Sequence, residues 1–240
     1  ILVTAQQLPL DLVSLVERGV LFDACSLHQL ETYGRYFPET ETGVRINTGV
    51  GSGHSHKTNV GGPASSFGIW HESVEEIKAV AAKYQLTITR LHTHIGSGTD
   101  PLVWTRVARL SLDQVRSFPS VTTLNLGGGF KVARMSYEKA TDLQEISQLV
   151  AEALRAFAQE TGRELPLEIE PGTYLAADAG SLITTIDDIL ATGSDGFKVR
   201  MLDRRRTDLP HPPPSTSQPP STPAKHQRTH ADEVSRFRSA

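Results

Sequence analysis

A regular alternation of strand-like and helix-like segments over the first 200 residues constrains the fold of this 240-residue chain more than any other feature. Several strand starts lie about 35 to 45 residues apart, which is the length of one strand–helix unit with its loops. A strand followed by a helix, repeated along the chain, predicts an α/β fold with a parallel sheet. The predicted strands are Val20–Ala24, Gly43–Asn47, Leu86–Leu91, Val121–Leu126 and Leu165–Glu170.

Start and stop signals mark three helices between these strands. Ser73–Glu76 and Thr141–Gln144 have the spacing of a capping box, in which two side chains satisfy the first backbone N–H groups of a helix. A third helix is predicted after Pro101, and Gly162 is a natural stop for the helix that follows Thr141. Apolar residues recur at helical spacing after each start.

Charge and composition exclude several classes of partner. The net charge is -3 and the isoelectric point is about 6.3, so we expect no nucleic acid partner. No apolar run approaches the ~18 residues of a membrane helix, so we expect no membrane partner. Ile1–Thr4 carries no readable signal peptide, and its start within an apolar run predicts a fragment. The single cysteine, Cys25, excludes an internal disulfide and is expected to pack in the core.

Composition changes sharply near residue 200. We predict a barrel domain over residues 1–199 and a disordered tail, rich in Pro, Ser and Arg, over residues 200–240. The tail contains too little apolar surface to offset the entropy of ordering it. It is either a ligand for a proline-binding module or a segment without a binding role.

Three motifs follow apolar runs at the ends of predicted strands. They are His92–Gly98, Asn125–Phe130 and Glu170–Thr173. The carboxyl ends of the strands in a βα-barrel are where its active site is built. The motifs offer an imidazole with a hydroxyl, a row of backbone N–H groups and a carboxylate, which together suit a flat, anionic, nitrogen-containing cofactor such as a phosphorylated pyridine.

The two histidines of the first motif allow three interpretations. His92 and His94 share one face of a strand, as metal ligands do in barrel hydrolases, but the later strand ends provide no further His or Asp cluster. In the second interpretation, both histidines have a purely structural role. In the third, one imidazole faces a ligand and Ser97 donates a hydrogen bond to the phosphate of that ligand. We favour the last interpretation and expect no metal.

The other two motifs gain meaning from their position. Gly127, Gly128 and Gly129 match neither of the common nucleotide-binding glycine patterns, but bare backbone after a strand can approach a phosphate closely. A flexible turn is the alternative. Glu170 is either a solvated strand end or a carboxylate that keeps a pyridine nitrogen protonated.

The sequence around these motifs closely resembles the sequences of diaminopimelate decarboxylases, which belong to the alanine-racemase-like barrel family of pyridoxal-phosphate enzymes. The resemblance spans roughly residues 10–199. It is carried by four stretches: Leu91–Gly98, Leu124–Phe130, Glu168–Gly172 and the loop Gly49–Ile69. The loop and Phe22–His28 resemble the diaminopimelate branch in particular.

The resemblance implies a role for each motif. It implies pyridoxal 5'-phosphate as the cofactor, with His94 stacked on its ring and Glu170 paired with its pyridine nitrogen. Ser97 and the glycines would bind the phosphate. The implied cofactor-binding residues are His94, Ser97, Gly127, Gly128, Gly129, Glu170, Pro171, Gly172 and Thr173.

The chain also departs from the family pattern. The resemblance implies a lysine, on the first barrel strand, that holds the cofactor covalently, and we expect that lysine upstream of Ile1. Thr173 stands where the family often has Arg. The expected fold is therefore a partial pyridoxal-phosphate-binding (β/α)8 barrel without its N-terminal strands and without the family's C-terminal β-domain.

The implied reaction is decarboxylation of meso-diaminopimelate to lysine and carbon dioxide, in a cytoplasmic or plastid homodimer. We expect the 240 residues alone to be inactive because the lysine is not among them. The alternatives are a non-catalytic relative or truncated gene product that binds pyridoxal phosphate or a partner chain, and a metal-dependent barrel hydrolase.

Overall fold

The computed structural model describes residues 1–3, 8–52, 61–134, 137–180, 183–193, 197–202 and 236–238. The chain divides into two compact units, residues 1–179 and residues 180–240. The boundary predicted at residues 199 and 200 stays a prediction, since most of the predicted tail lies outside the described residues.

The first unit is built on a parallel seven-stranded sheet, which confirms the predicted α/β class. The strands run in the order β1-β2-β3-β5-β6-β7, and β4 pairs with β3 beside this path. All five predicted strands are present, and the short β1 and β4 were not predicted. The strands are β1 Leu2–Val3, β2 Phe22–Ala24, β3 Glu41–Asn47, β4 Ile69–Trp70, β5 Thr87–His92, β6 Thr123–Asn125 and β7 Leu167–Glu168.

Within the described residues, six helices connect or follow these strands, and the three predicted ones are α3, α4 and α5. Gly162 adopts a left-handed conformation with φ of 71° and ends α5 as predicted. Asp100 caps α4 by accepting from Leu102, and Pro101 occupies its first turn. The helices are α1 Leu12–Glu17, α2 Leu27–Tyr36, α3 Val74–Tyr84, α4 Pro101–Arg116, α5 Leu143–Thr161 and α6 Gly172–Ala176.

Both predicted capping boxes were wrong. The Ser73 side chain makes no capping hydrogen bond at α3. At α5 the cap is Asp142, whose Oδ1 accepts from the N–H groups of Gln144 and Glu145. Thr141 is unavailable as a cap because its hydroxyl accepts from the Lys131 N–H at 2.7 Å and lies 3.2 Å from the Gly98 carbonyl oxygen. Tertiary contacts thus decided the choice between two adjacent capping residues.

The apolar core lies between the sheet and the helices. Leu91 and Leu124 from the strands and Val107, Val115 and Ile77 from the helices are each at most 1% exposed. Burial of such side chains supplies about 1.5–3 kcal/mol each and is the main force that holds the helices on the sheet. Cys25 is also buried, as predicted, and burial raises the pKa of its thiol to about 11, outweighing the nearby Arg45.

The second unit contains a small antiparallel sheet in the order β10-β9-β8. Its strands are β8 Ile186–Ala191, β9 Phe197–Leu202 and β10 Arg236–Arg238. Part of β9 and all of β10 fall after residue 199, in the segment predicted to be disordered. No helix in the described parts of either unit is long and apolar enough to cross a membrane.

Candidate cofactor site

The three predicted motifs meet at the carboxyl edge of β5, β6 and β7. Backbone hydrogen bonds join them directly: Gly98 N–H donates to the Gly129 carbonyl oxygen at 3.1 Å, and Glu170 N–H donates to the Gly127 carbonyl oxygen at 2.9 Å. Parallel strands end at the same edge of a sheet, so the turns that follow them lie side by side. The structure therefore brings the predicted imidazole, glycines and carboxylate into one place.

Backbone packing explains the three glycines. A Cβ on Gly128 would lie 2.1 Å from the Glu170 carbonyl oxygen, and one on Gly129 would lie 2.2 Å from the Gly96 carbonyl oxygen. Gly127 and Gly129 also have φ of 69° and 101°, which side chains disfavour. Any larger residue would push the three motifs apart.

The glycines that are predicted to bind the phosphate, which we call the phosphate cup, differ in whether their backbone N–H groups already have a hydrogen-bond acceptor. Gly127 N–H already donates to Asn125 Oδ1 at 2.7 Å, and Gly172 N–H donates to the Glu170 carbonyl oxygen at 2.9 Å. Within the described part of the chain, Gly128 and Gly129 have no acceptor for their N–H groups. These two groups are therefore the available donors of the glycine motif.

His94 lies against the glycine turn with a defined proton. Its Nδ1 accepts from the Gly96 N–H at 2.9 Å, so the neutral ring carries its proton on Nε2. A Cβ on Gly127 would approach the His94 ring to 2.8 Å, so the bare glycine makes room for the imidazole. Burial, and secondarily the charge of Arg45, lowers the pKa of His94 to about 4, and the ring is neutral at pH 7.

Glu170 is held by a residue to which the sequence assigned no role. Asn125 Nδ2 donates to Glu170 Oε1 at 2.9 Å, and the Glu170 side chain is 37% exposed while Asn125 is fully buried. Asn125 ends β6 immediately before the glycine motif, and that position in the motif was the available signal. Pro171 precedes the short helix α6, in which Gly172 and Thr173 are the first residues.

A cluster of buried polar side chains lies next to Glu170 on the strands of the sheet. We call it the interior cluster and define it as Asp23, Arg45, Arg90, His92 and Asn125, all at most 8% exposed. His92 stands between two carboxylates, with Nδ1 3.9 Å from Asp23 Oδ2 and Nε2 3.9 Å from Glu170 Oε1. Sequence reasoning missed Asp23, Arg45 and Arg90, although each is the single charged residue of its predicted strand.

Burial dominates the protonation of this cluster. It raises the pKa of Asp23 to about 7, in spite of the Arg90 guanidinium whose Nε lies 3.5 Å from Asp23 Oδ1. It also lowers the pKa of His92 well below its usual value, with a further contribution from Arg45. Arg90 pairs with Glu168 at 3.0 Å, so its charge has a closer partner than Asp23.

A cavity of about 330 Å³ opens beside the glycine motif. Ser97, Gly129 and Thr173 line it, and so do the cations Lys131 and Arg134. Three of the predicted cofactor-binding residues thus share one cavity. Among the described residues, no group of three or more His, Cys, Asp or Glu side chains is placed to hold a metal ion. His54 and His56, the two histidines of the Gly49–Ile69 loop, lie outside the described residues.

Comparison with known proteins identifies the family of the chain. The family model described as "Pyridoxal-dependent decarboxylase, pyridoxal binding domain" matches residues 11–177. The chain is 36% identical over 198 residues to the diaminopimelate decarboxylase of Streptomyces coelicolor, covering 82% of this chain and 44% of that one. It is 33% identical over 197 residues to the diaminopimelate decarboxylase of Escherichia coli K12, covering 82% and 46%.

A solved structure extends the comparison to the fold. The crystal structure of a diaminopimelate decarboxylase superposes with a TM-score of 0.70 at 31% identity, covering 82% of this chain and 47% of that chain. The chain therefore spans about half the length of the proteins it matches, and its sheet corresponds to part of their barrel, as predicted. Since the matched family model covers well over half of the sequence, the chain belongs to the family of pyridoxal-dependent decarboxylases and carries their pyridoxal-binding domain.

Proposed function

We propose that the protein carrying this sequence decarboxylates meso-diaminopimelate to lysine and carbon dioxide with pyridoxal 5'-phosphate. The observation that carries the proposal is the convergence of His94, Gly128, Gly129 and Glu170 at one edge of the sheet. The relatives that are 33% and 36% identical are diaminopimelate decarboxylases, and this supports the choice of substrate. A homodimer in the cytoplasm or a plastid stays a prediction.

The residues present fit the cofactor that defines the family. Gly128 and Gly129 provide two unpaired N–H donors, and Ser97 provides a hydroxyl on the wall of the adjacent cavity. These three groups would hold the phosphate. The neutral imidazole of His94 would lie on the ring, and the Glu170 carboxylate would face the ring nitrogen.

Each of these side chains has a defined task in the proposed reaction. When bound, pyridoxal phosphate supplies an electron sink for the electron pair left behind as carbon dioxide departs. Glu170 would hold a proton on the ring nitrogen, because its carboxylate can accept a hydrogen bond from that N–H. Asn125 keeps the carboxylate in place from the other side at 2.9 Å. His94 would lie against the ring without adding positive charge, since its pKa of about 4 leaves the imidazole neutral.

The test is to measure cofactor binding and carbon dioxide release separately. The full-length protein is titrated with pyridoxal phosphate, followed by visible absorbance, and then given meso-diaminopimelate. In Glu170→Gln we expect the cofactor to bind and carbon dioxide release to fall by orders of magnitude, because an amide cannot hold the ring proton. Glu164→Gln, an exposed carboxylate before β7, is the matched control and should retain full release.

Two outcomes would contradict the proposal. Unchanged release in Glu170→Gln would mean that Glu170 is a solvated strand end. Binding of pyridoxal phosphate by the unmodified protein without any release of carbon dioxide would instead favour a non-catalytic relative that uses the same site for binding.

A further inference from the structure

We propose that Lys131 and Arg134, on the loop after the glycine motif, supply the positive charge that binds the phosphate group in the cavity beside Gly129. This inference rests on the proposed function, and it assigns a role to two residues that the sequence motifs left out. It is carried by the lining of the cavity, by the anchoring of the loop and by the present partner of Lys131.

The walls of the cavity differ in charge. Ser97, Gly129 and Thr173 present neutral donors, whereas Lys131 and Arg134 present cations, and Glu138 presents the one carboxylate among the described residues that line it. A phosphate monoester carries close to two negative charges at pH 7 and binds most strongly where ionised donors meet it. Neutral donors alone would leave most of that charge uncompensated.

Because Thr173 is uncharged, phosphate binding in this cavity depends more strongly on Lys131 and Arg134. It occupies the wall next to Glu170 and contributes a hydroxyl without charge. Among the described residues of the lining, Lys131 and Arg134 are the cations. The positive charge for a phosphate in this cavity therefore comes from the loop after the glycine motif and not from the turn after β7.

The loop after the glycine motif is anchored by hydrogen bonds to Thr141 and, through it, to the segment that carries Ser97. Lys131 N–H donates to Thr141 Oγ1 at 2.7 Å, and Thr141 N–H donates back to the Lys131 carbonyl oxygen at 2.8 Å. The Thr141 hydroxyl in turn donates to the Gly98 carbonyl oxygen at 3.2 Å, next to Ser97. The backbone of Lys131 is thereby fixed relative to the segment that carries Ser97, whose hydroxyl would share the phosphate with it.

Lys131 already binds an oxyanion at the edge of the cavity. Its Nζ lies 3.4 Å from Glu138 Oε1, with the two side chains 25% and 21% exposed. Glu138 Oε2 also accepts from the Arg134 N–H at 2.8 Å. The Glu138 carboxylate thus binds the Lys131 ammonium group and the Arg134 main chain, and a bound phosphate would compete with it for Lys131. Neutralising Glu138 should accordingly strengthen phosphate binding.

The test uses pyridoxine 5'-phosphate and pyridoxine, measured by isothermal titration calorimetry on the purified chain. Both probes lack the aldehyde, so no lysine can bond to them covalently, and they differ only in the phosphate. We expect Lys131→Met and Arg134→Met each to weaken binding of the phosphorylated probe about tenfold, with pyridoxine binding unchanged. Glu138→Gln should tighten the phosphorylated probe several-fold. Lys139→Met, an exposed lysine of the same loop outside the cavity lining, should change neither.

The titrations with the two probes distinguish a failure of this inference from a failure of the proposed function. Unchanged binding of pyridoxine 5'-phosphate in both Met variants, or an equal loss for both probes, would overturn the role of the two cations while leaving the decarboxylase proposal intact. If the unmodified chain binds neither probe, inorganic phosphate is titrated instead. Binding of phosphate that depends on Lys131 would support the role of the cations without supporting the decarboxylase proposal. If phosphate does not bind, the role of the cations is overturned.

Discussion

Asn125 Nδ2 donates to Glu170 Oε1 at 2.9 Å, while Asn125 Oδ1 accepts from the Gly127 N–H at 2.7 Å. One fully buried amide therefore fixes both the carboxylate that would face the cofactor ring and the first glycine of the turn beside it. The two hydrogen bonds use opposite ends of the amide, so no other common side chain of this size can make both. Asn125 is a positioning residue of the site.

We expect Asn125→Leu to lower the free energy of unfolding by roughly 2–4 kcal/mol, because the Gly127 N–H loses its acceptor and Glu170 loses its donor. Asn125→Asp keeps the acceptor but places a second carboxylate against Glu170, so the donor is lost and the two carboxylates repel each other. Urea unfolding gives the stability. If Asn125→Leu unfolds at the same urea concentration as the unmodified chain, the two hydrogen bonds do not hold the motifs together.

Two glycines of the predicted phosphate cup should respond differently to substitution. A Cβ on Gly128 would lie 2.1 Å from the Glu170 carbonyl oxygen, whereas a Cβ on Gly172 meets nothing within 4 Å. Gly128→Ala should therefore cost at least about 2 kcal/mol of stability, and Gly172→Ala should cost less than about 1 kcal/mol. Thermal unfolding compares them. Equal losses in the two variants would contradict the backbone contact between Gly128 and Glu170.

Arg163 joins the end of α5 to the turn after α4. Its guanidinium donates to the carbonyl oxygens of Val115, Phe118 and Val121 at 3.3, 3.2 and 2.7 Å. Arg163→Met should lower the free energy of unfolding by about 2 kcal/mol, because three carbonyl groups lose a charged donor. Arg155→Met, on an exposed position of α5, is the matched control and should stay within about 0.5 kcal/mol. Equal stability of the two variants in urea would show that water replaces the guanidinium without cost.

The fold and the site motifs were predictable because their signals are local. The periodic patterns of strands and helices, and the start and stop signals at Pro101 and Gly162, depend only on residues close in sequence. The site motifs were recognised from their glycines and histidines and from their position at strand ends. The approach of the three motifs followed from parallel strands alone. The parallel sheet and its three main helices were accordingly correct.

The interior cluster was not predictable for the opposite reason. Arg90 and Glu168 pair across 78 positions of sequence, and nothing near either residue indicates the other. The same holds for Thr141, whose hydroxyl bonds to Lys131 and Gly98 and so leaves the cap of α5 to Asp142. Side chains that are placed by tertiary contacts carry no local sign of their partners, and the pairing of Arg90 with Glu168 is an example.

Asp23 should make stability depend on pH in a defined window. Its carboxyl group is fully buried, Arg90 approaches it, Glu168 and Glu170 repel it, and burial raises its pKa from 3.8 to about 7. Between these two values the folded chain holds a proton that the unfolded chain has released. The Asp23 contribution to stability is therefore complete below about pH 4, decreases as the pH rises towards 7, and changes no further above it.

We expect Asp23→Asn to remove this dependence. As the pH rises from 4 to 7, the variant should become more stable relative to the unmodified chain, by on the order of 1 kcal/mol of unfolding free energy per pH unit. His92 and His94, whose lowered pKa values act in the opposite direction, are present in both proteins and largely cancel in the difference. Urea unfolding at pH 4, 5, 6, 7 and 8 measures it. A difference that stays constant over this range would mean that Asp23 is ionised in the folded chain throughout, so that the attraction of Arg90 outweighs the cost of burial.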